Sequence, residues 1–297
     1  MRSALFVLAL LYFSGCTGDN QQAEKDTPVY GTFSIYTDET YYPLVKILTD
    51  GFMSVYPNTN ISIDTTSGGN VYAKLADSGA RAIITARSKS SSDSTALAQR
   101  SIFPTSFHFA SDALVLIEKY KGDSGTHFVM LDTMKNCLDS TLSPRASKIV
   151  TDRNGSENND FIYRKFQGSK GCMQQWMAAG NQQSVISYIA QHENEVGIVG
   201  WSYLCDKDDP AMMELRKQVS VIPFGTDSSE FIWPTQSALV TEKYPLVRKL
   251  YLVTADPYAG TATGFASYVA SDEGQRIVRL FGLAPAKTPP REIFIQQ

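Results

Sequence analysis

Three short stretches carry side chains able to grip a small anion: Thr37-Asp38-Glu39, Ser67-Gly68-Gly69 and Ala86-Arg87-Ser88. Hydroxyls, closely approaching glycine amides and a guanidinium fork together hold a tetrahedral oxyanion well. Thr37, Asp38, Ser67, Gly68, Gly69, Arg87 and Ser88 are therefore the candidate contacts from this part of the chain. Asp38 and Glu39 oppose the idea, since like charges ~4 Å apart cost about 4 kcal/mol at an effective dielectric of ~20. A dianion is tolerated if Asp38 accepts a proton from a ligand oxygen, which an oxyanion still partly protonated at neutral pH offers and a fully ionised one does not. Each stretch also has a plainer role. Arg87 can pair with a nearby carboxylate, the two glycines can make a tight turn, and the two acids suit a helix start.

These stretches sit where strands run into helices. Residues 31–37 are β-prone, and Tyr41, Leu44, Val45, Leu48, Phe52 and Val55 follow at helical spacing until Pro57-Asn58. Ile61–Thr65 alternates, Val71, Leu75 and Ala76 mark a short helix, and Ala82–Thr85 is the next strand. Strand and helix in alternation predict a mainly parallel sheet with helices on its faces, ligands binding at the carboxyl ends of its strands. Further on, Ser111–Ile117 reads as a strand leaving a first lobe. A helix is expected from about Asp160 to Phe166, another over Ser184–Gln191, and a strand over Val196–Trp201. Val219–Pro223 returns toward the first lobe, and Leu246–Val253 then Gly264–Leu280 read as a strand and a helix, with Ser271-Asp272-Glu273 a helix start or turn. The serine-rich residues 88–94 read as a polar loop. Trp176, Trp201 and Trp233 are packing residues.

The chain has 297 residues with 27 Lys+Arg against 30 Asp+Glu, a balance that leaves no basic footprint for nucleic acid. Its apolar content of 43 % excludes disorder and suits a globular body long enough for two lobes. Gly-x-Ser-x-Gly elbows, P-loops and paired metal ligands are missing from the sequence, and His192-Glu193 lacks a second histidine. Neither an enzyme, a metal site nor a cofactor is expected. Arg2, the apolar run Ala4–Phe13 and then Ser14-Gly15-Cys16 read as a secretory signal, the run being too short for a membrane span of roughly 20 residues. Phe13-Ser14-Gly15-Cys16 is similar to the bacterial lipoprotein signal, which implies lipidation at Cys16. The polar residues after it make a solvated tether through residue 30. Of Cys137, Cys172 and Cys205 at most one pair can form, and buried free thiols are the simpler expectation.

Four stretches in order, Ile35–Leu44, Ala82–Ser88, Phe109–Ile117 and Tyr244–Tyr251, carry a wider resemblance. Ser271–Val278, Gly282–Pro285 and Val196–Gly200 add to it. Over about Gly31 to Pro285 the chain resembles the substrate-binding lipoproteins of phosphate ABC transporters, in the form found in Bacteroidetes-like bacteria. That resemblance implies a type 2 periplasmic-binding-protein clamshell of class α/β. Its two lobes, each a mainly parallel sheet flanked by helices, would be joined by two hinge crossings. It places a signal peptide at 1–15, a tether at 16–30, lobe 1 at 31–113 plus 226–297, and lobe 2 at 114–225.

The resemblance further implies capture of phosphate or a similar oxyanion and delivery to an ABC permease by a protein held in the cell envelope by its lipid. Lobe 2 would contribute a Ser-Gly-Thr-like turn at a helix start. Ser156-Glu157-Asn158 matches it, making Ser156 and Asn158 candidate contacts, with Arg153 nearby. Glu157 departs from the pattern where glycine would let the backbone approach the anion, and Asn158 where a threonine would donate. That departure motivates an alternative, a surface-anchored sensor or binding module of the same fold for a different small ligand.

Overall fold

Period-two alternation in Gly31–Thr37 (β1) turns Phe33, Ile35 and Thr37 inward. Tyr42–Val55 (α1), with Pro43 in its first turn, buries Leu44, Val45, Leu48 and Phe52. Thr59–Thr65 (β2) and Ala82–Thr85 (β3) then flank β1 in parallel, with Val71–Asp77 (α2) as the second crossover. The computed structural model describes residues 25–66, 71–77, 79–120, 122, 129–130, 148–165, 176–225 and 230–287. Cys16, Ser67, Gly68, Gly69, Cys137 and Cys172 lie outside the described residues.

The serine-rich stretch is not a loop throughout. Ser90 and Asp93 form a reciprocal capping box that starts Ser91–Gln99 (α3). Thr105–Lys119 (β4) is 15 residues long and belongs to both halves of the molecule. Residues 105–113 pair antiparallel with Val247–Thr254 (β12), and from Leu114 onward the partners become Glu195–Gly200 (β8) and Val219–Ile222 (β9). The second half continues through Val129–Met130 (β5), Lys148–Thr151 (β6), Glu157–Lys165 (α4), Met177–Ala178 (β7) and Gln182–Gln191 (α5). Pro210–Arg216 (α6), Phe224–Gly225 (β10), Phe231–Ile232 (β11) and Gln236–Val240 (α7) lead back to β12. Strand order along the main sheet is β2-β1-β3-β12-β4-β8-β6-β7.

The result is a two-lobe α/β clamshell in which β4 belongs to both sheets. Within the main sheet, parallel pairing among the described residues is confined to β1 with β2 and β3, and to β6 with β7 and β8; β10 pairs with β5 in parallel in a separate small sheet. The centre is antiparallel because β4 and β12 run in opposite directions. Helix α4 begins three residues before the expected Asp160, since Ser156 accepts from the Asn159 N–H at 3.2 Å. The expected final helix is two, Thr261–Ala270 (α8) and Asp272–Phe281 (α9), because Ser271 ends one and caps the other. Cys205 is a buried free thiol whose pKa burial pushes up.

Residues 25–30, expected in the tether, are docked on lobe 1. Gly260, at the start of α8, supplies no side-chain cap, and Asp26 takes that role by accepting from the N–H and hydroxyl of Thr261 at 2.9 and 2.7 Å. Arg81 holds Asp26 from the other side at 2.6 Å. A Cβ on Gly264 would lie 1.8 Å from the Pro28 carbonyl oxygen, so only glycine lets this segment lie on the helix. Gly264→Ala is expected to cost about 1–3 kcal/mol through overpacking. Urea unfolding checks this, and an unchanged midpoint would contradict the packing.

Candidate functional site

The loops after β1, β3 and β6 meet between the lobes, and side chains of β4 and β12 reach the same place. Asp38, 1 % exposed, accepts from the backbone N–H and hydroxyl of Thr40 at 3.0 and 2.8 Å, capping the turn that leads into α1. Its other oxygen crosses the cleft and accepts from the Glu157 N–H, the first of α4, at 3.3 Å. One carboxylate thus satisfies a helical start in each lobe.

Glu157 returns the contact. Its carboxylate leaves lobe 2 and is held by the Thr85 hydroxyl and by the Ala86 N–H, the latter at 2.7 Å, at the carboxyl end of β3. The Thr85 hydroxyl also accepts from the Arg87 N–H at 2.9 Å, which leaves its proton directed at Glu157. Burial, and then the Asp38 charge, pushes the pKa of Glu157 up to about 7. Arg248 reaches the same place from β12. It donates through Nε and Nη2 to Asp112 on β4 at 3.0 and 2.7 Å, and through Nη1 to Asn158 at 2.7 Å. Its guanidinium lies over the Tyr41 ring at 4.8 Å.

A family model described as the PBP superfamily domain matches residues 22–273. The chain belongs to the PBP superfamily. Solved structures with this fold include a phosphate ABC transporter substrate-binding protein with bound phosphate from Clostridium perfringens. It is 16 % identical at a TM-score of 0.70, with 86 % of this chain and 100 % of that one covered. An ABC-type phosphate transport receptor from Vibrio cholerae gives 13 % identity and a TM-score of 0.62, covering 86 % and 100 %. The CcmR regulatory domain of Synechocystis PCC6803, solved with 2-PG, gives 12 % and 0.55, covering 81 % and 96 %. At these identities the likeness is one of fold. No curated protein matches the sequence.

Within this PBP clamshell the expected contacts separate. Asp38, Ser156 and Asn158 come together between the lobes. Asp152 accepts from the Ser156 hydroxyl at 2.6 Å and from the Asn158 amide at 2.9 Å, so both of those side chains face protein groups. Arg153 donates to the Thr66 carbonyl at 3.0 Å and lies 3.7 Å from Asp38. Thr37 is buried beside them, its hydroxyl donating to the Ile84 carbonyl at 3.1 Å. Arg87 turns the other way. Its guanidinium forks onto Asp93 at 2.7 and 3.1 Å and stacks on Tyr72 at 4.7 Å, while Ser88 is exposed. The local carboxylate of the α3 capping box therefore takes the guanidinium expected on a ligand.

Several residues at the meeting point were not among the expected contacts, Thr85, Ala86, Arg248, Asp112, Asp152 and Tyr41 among them. Arg248 did carry a signal. It falls on the period-two face Leu246, Leu250, Leu252, all buried, and a charge on such a face needs a buried counter-charge. Asp112, inside the apolar run of β4, is the only acid in Phe109–Ile117.

Proposed function

We propose that this chain is an extracytoplasmic solute-binding lipoprotein, anchored through Cys16, that holds a small oxyanion between its lobes and passes it to an ABC permease. The work is binding and closure, with no bond made or broken. One observation carries the reading. The Thr85 hydroxyl and the Ala86 N–H already hold a carboxylate that enters from the opposite lobe, so the end of β3 is a receptor for an oxygen anion. Phosphate is the first candidate, because Asp38 favours a ligand oxygen that carries a proton. The names of the Clostridium and Vibrio proteins point the same way.

Calorimetry of the full chain with phosphate, sulfate and molybdate tests it. Submillimolar phosphate binding without sulfate binding is expected. No heat and no thermal shift with any oxyanion would remove the reading. The carboxylates of Asp38, Asp112, Asp152 and Glu157, set against Arg248 and Arg153, favour one second reading: a surface-anchored binding or sensor module for another small ligand. Binding of a small amine or neutral solute, with no response to oxyanions, would select it.

A further inference from the structure

We propose that Glu157 is the specificity-determining residue of this cleft, a built-in occupant of the oxyanion receptor that a ligand must expel in order to bind. The inference rests on the solute-binding reading and adds a competitor to it. A tetrahedral oxyanion seated between these lobes would use strand-end N–H and hydroxyl donors from one side and a helix-start N–H from the other. Here those donors are taken by the chain itself. The Thr85 hydroxyl and Ala86 N–H go to Glu157, and the first N–H of α4 goes to Asp38. Glu157 is 1 % exposed and sits on α4, so the contact ties lobe 2 directly to lobe 1. The Tyr41 hydroxyl, fully buried within electrostatic reach of Glu157 and Asp38, has no hydrogen-bond partner among the described residues. It is a donor left over for an incoming oxygen.

The exchange of one anion for another carries a proton with it. Facing Glu157 are Asp38 from the loop after β1, Arg248 from β12 with its partner Asp112 on β4, Tyr41, Tyr72 from α2, and Arg87, whose charge is committed to Asp93. In place, Glu157 titrates near 7; expelled into water, it returns to about 4.5. Its bound proton therefore favours the self-occupied state. That advantage is full below about 4.5 and is lost as pH rises through about 7. Oxyanion affinity should fall on acidification between those values, by at most about tenfold per pH unit, with a proton released on binding.

The test combines calorimetry with inorganic phosphate and small-angle scattering of the ligand-free protein, on wild type, Glu157→Gly, Glu157→Ala and Glu157→Gln. Glu157→Gly should bind phosphate at least about tenfold more tightly than wild type, and the acid-side loss of affinity should vanish. Ligand-free Glu157→Ala should show a larger radius of gyration. Glu157→Gln, neutral and able to accept from Ala86, should stay compact at every pH and so separate loss of the contact from loss of folding. Equal phosphate affinity in wild type and Glu157→Gly overturns the inference while leaving the transport reading standing. If neither protein takes any oxyanion, the transport reading falls. In that case an unchanged radius of gyration in Glu157→Ala overturns this inference as well, and an expanded one keeps Glu157 as the tie between the lobes.

Discussion

Arg248→Ala is expected to lower the unfolding free energy by about 3–5 kcal/mol, the range for removing one partner of a buried charge pair. Arg248 and Asp112 have side chains 1 % and 0 % exposed, and their contact is 2.7 Å. With Arg248 gone, Asp112 keeps, among the described residues, the Ser202 N–H at 2.9 Å and its hydroxyl at 3.4 Å as donors, too little for a buried carboxylate. The same substitution leaves the Asn158 oxygen with only the distant Thr40 hydroxyl at 3.5 Å among the described residues and uncovers the Tyr41 ring, so three elements lose a shared support. Arg248→Lys keeps the charge but cannot serve Asp112 and Asn158 from one planar fork, and should cost about half as much. Arg248→Met combined with Asp112→Asn should recover most of the loss, because the uncompensated charge is what costs. Urea denaturation of the four proteins reads this directly. A loss below about 1 kcal/mol for Arg248→Ala would mean that the pair is not holding the lobes as the distances indicate.

The first half of the fold was legible because each of its elements declares its own period. β1 alternates, α1 places Leu44, Leu48 and Phe52 on one face, and the two glycines at 68 and 69 punctuate the step to α2. Legibility fails where partners lie far apart in sequence. Arg248 and Asp112 are 136 residues apart, and Thr85 and Glu157 are 72 apart. Local patterning marks Arg248 and Asp112 singly, as charges within buried apolar stretches, but nothing local announces which residue pairs with which. Arg87 fails for the opposite reason: its partner, Asp93, is six residues away in a capping box that was itself readable as Ser90-x-x-Asp93. Glu157 was read as an obstacle to a ligand's approach. The geometry gives that obstacle a seat, since a side chain too long for a close backbone approach is long enough to reach the opposite lobe.

Asp152→Ala is the other large effect expected, a loss of about 3 kcal/mol or more, because three buried donors lose their acceptor at once. Oδ1 of Asp152 accepts from the Ser156 hydroxyl at 2.6 Å, and Oδ2 accepts from the amides of Asn158 and Gln182 at 2.9 and 2.6 Å. Neither amide can turn around to compensate. Asn158 must present its oxygen to Arg248, and Gln182 must present its oxygen to the Gly200 N–H at 2.9 Å, so each has only its NH2 to offer Asp152. Asp152→Asn is a different case. Its one remaining oxygen can take the Oδ2 position and serve both amides, while its NH2 faces Ser156, whose hydroxyl can rotate and accept. The asparagine variant should therefore lose only about 1 kcal/mol and keep the turn. Urea midpoints of the two variants, with the circular dichroism of each, separate these outcomes. Equal losses would show that the charge of Asp152, rather than the fixed direction of its hydrogen bonds, holds the start of α4 against Arg248 and lobe 1.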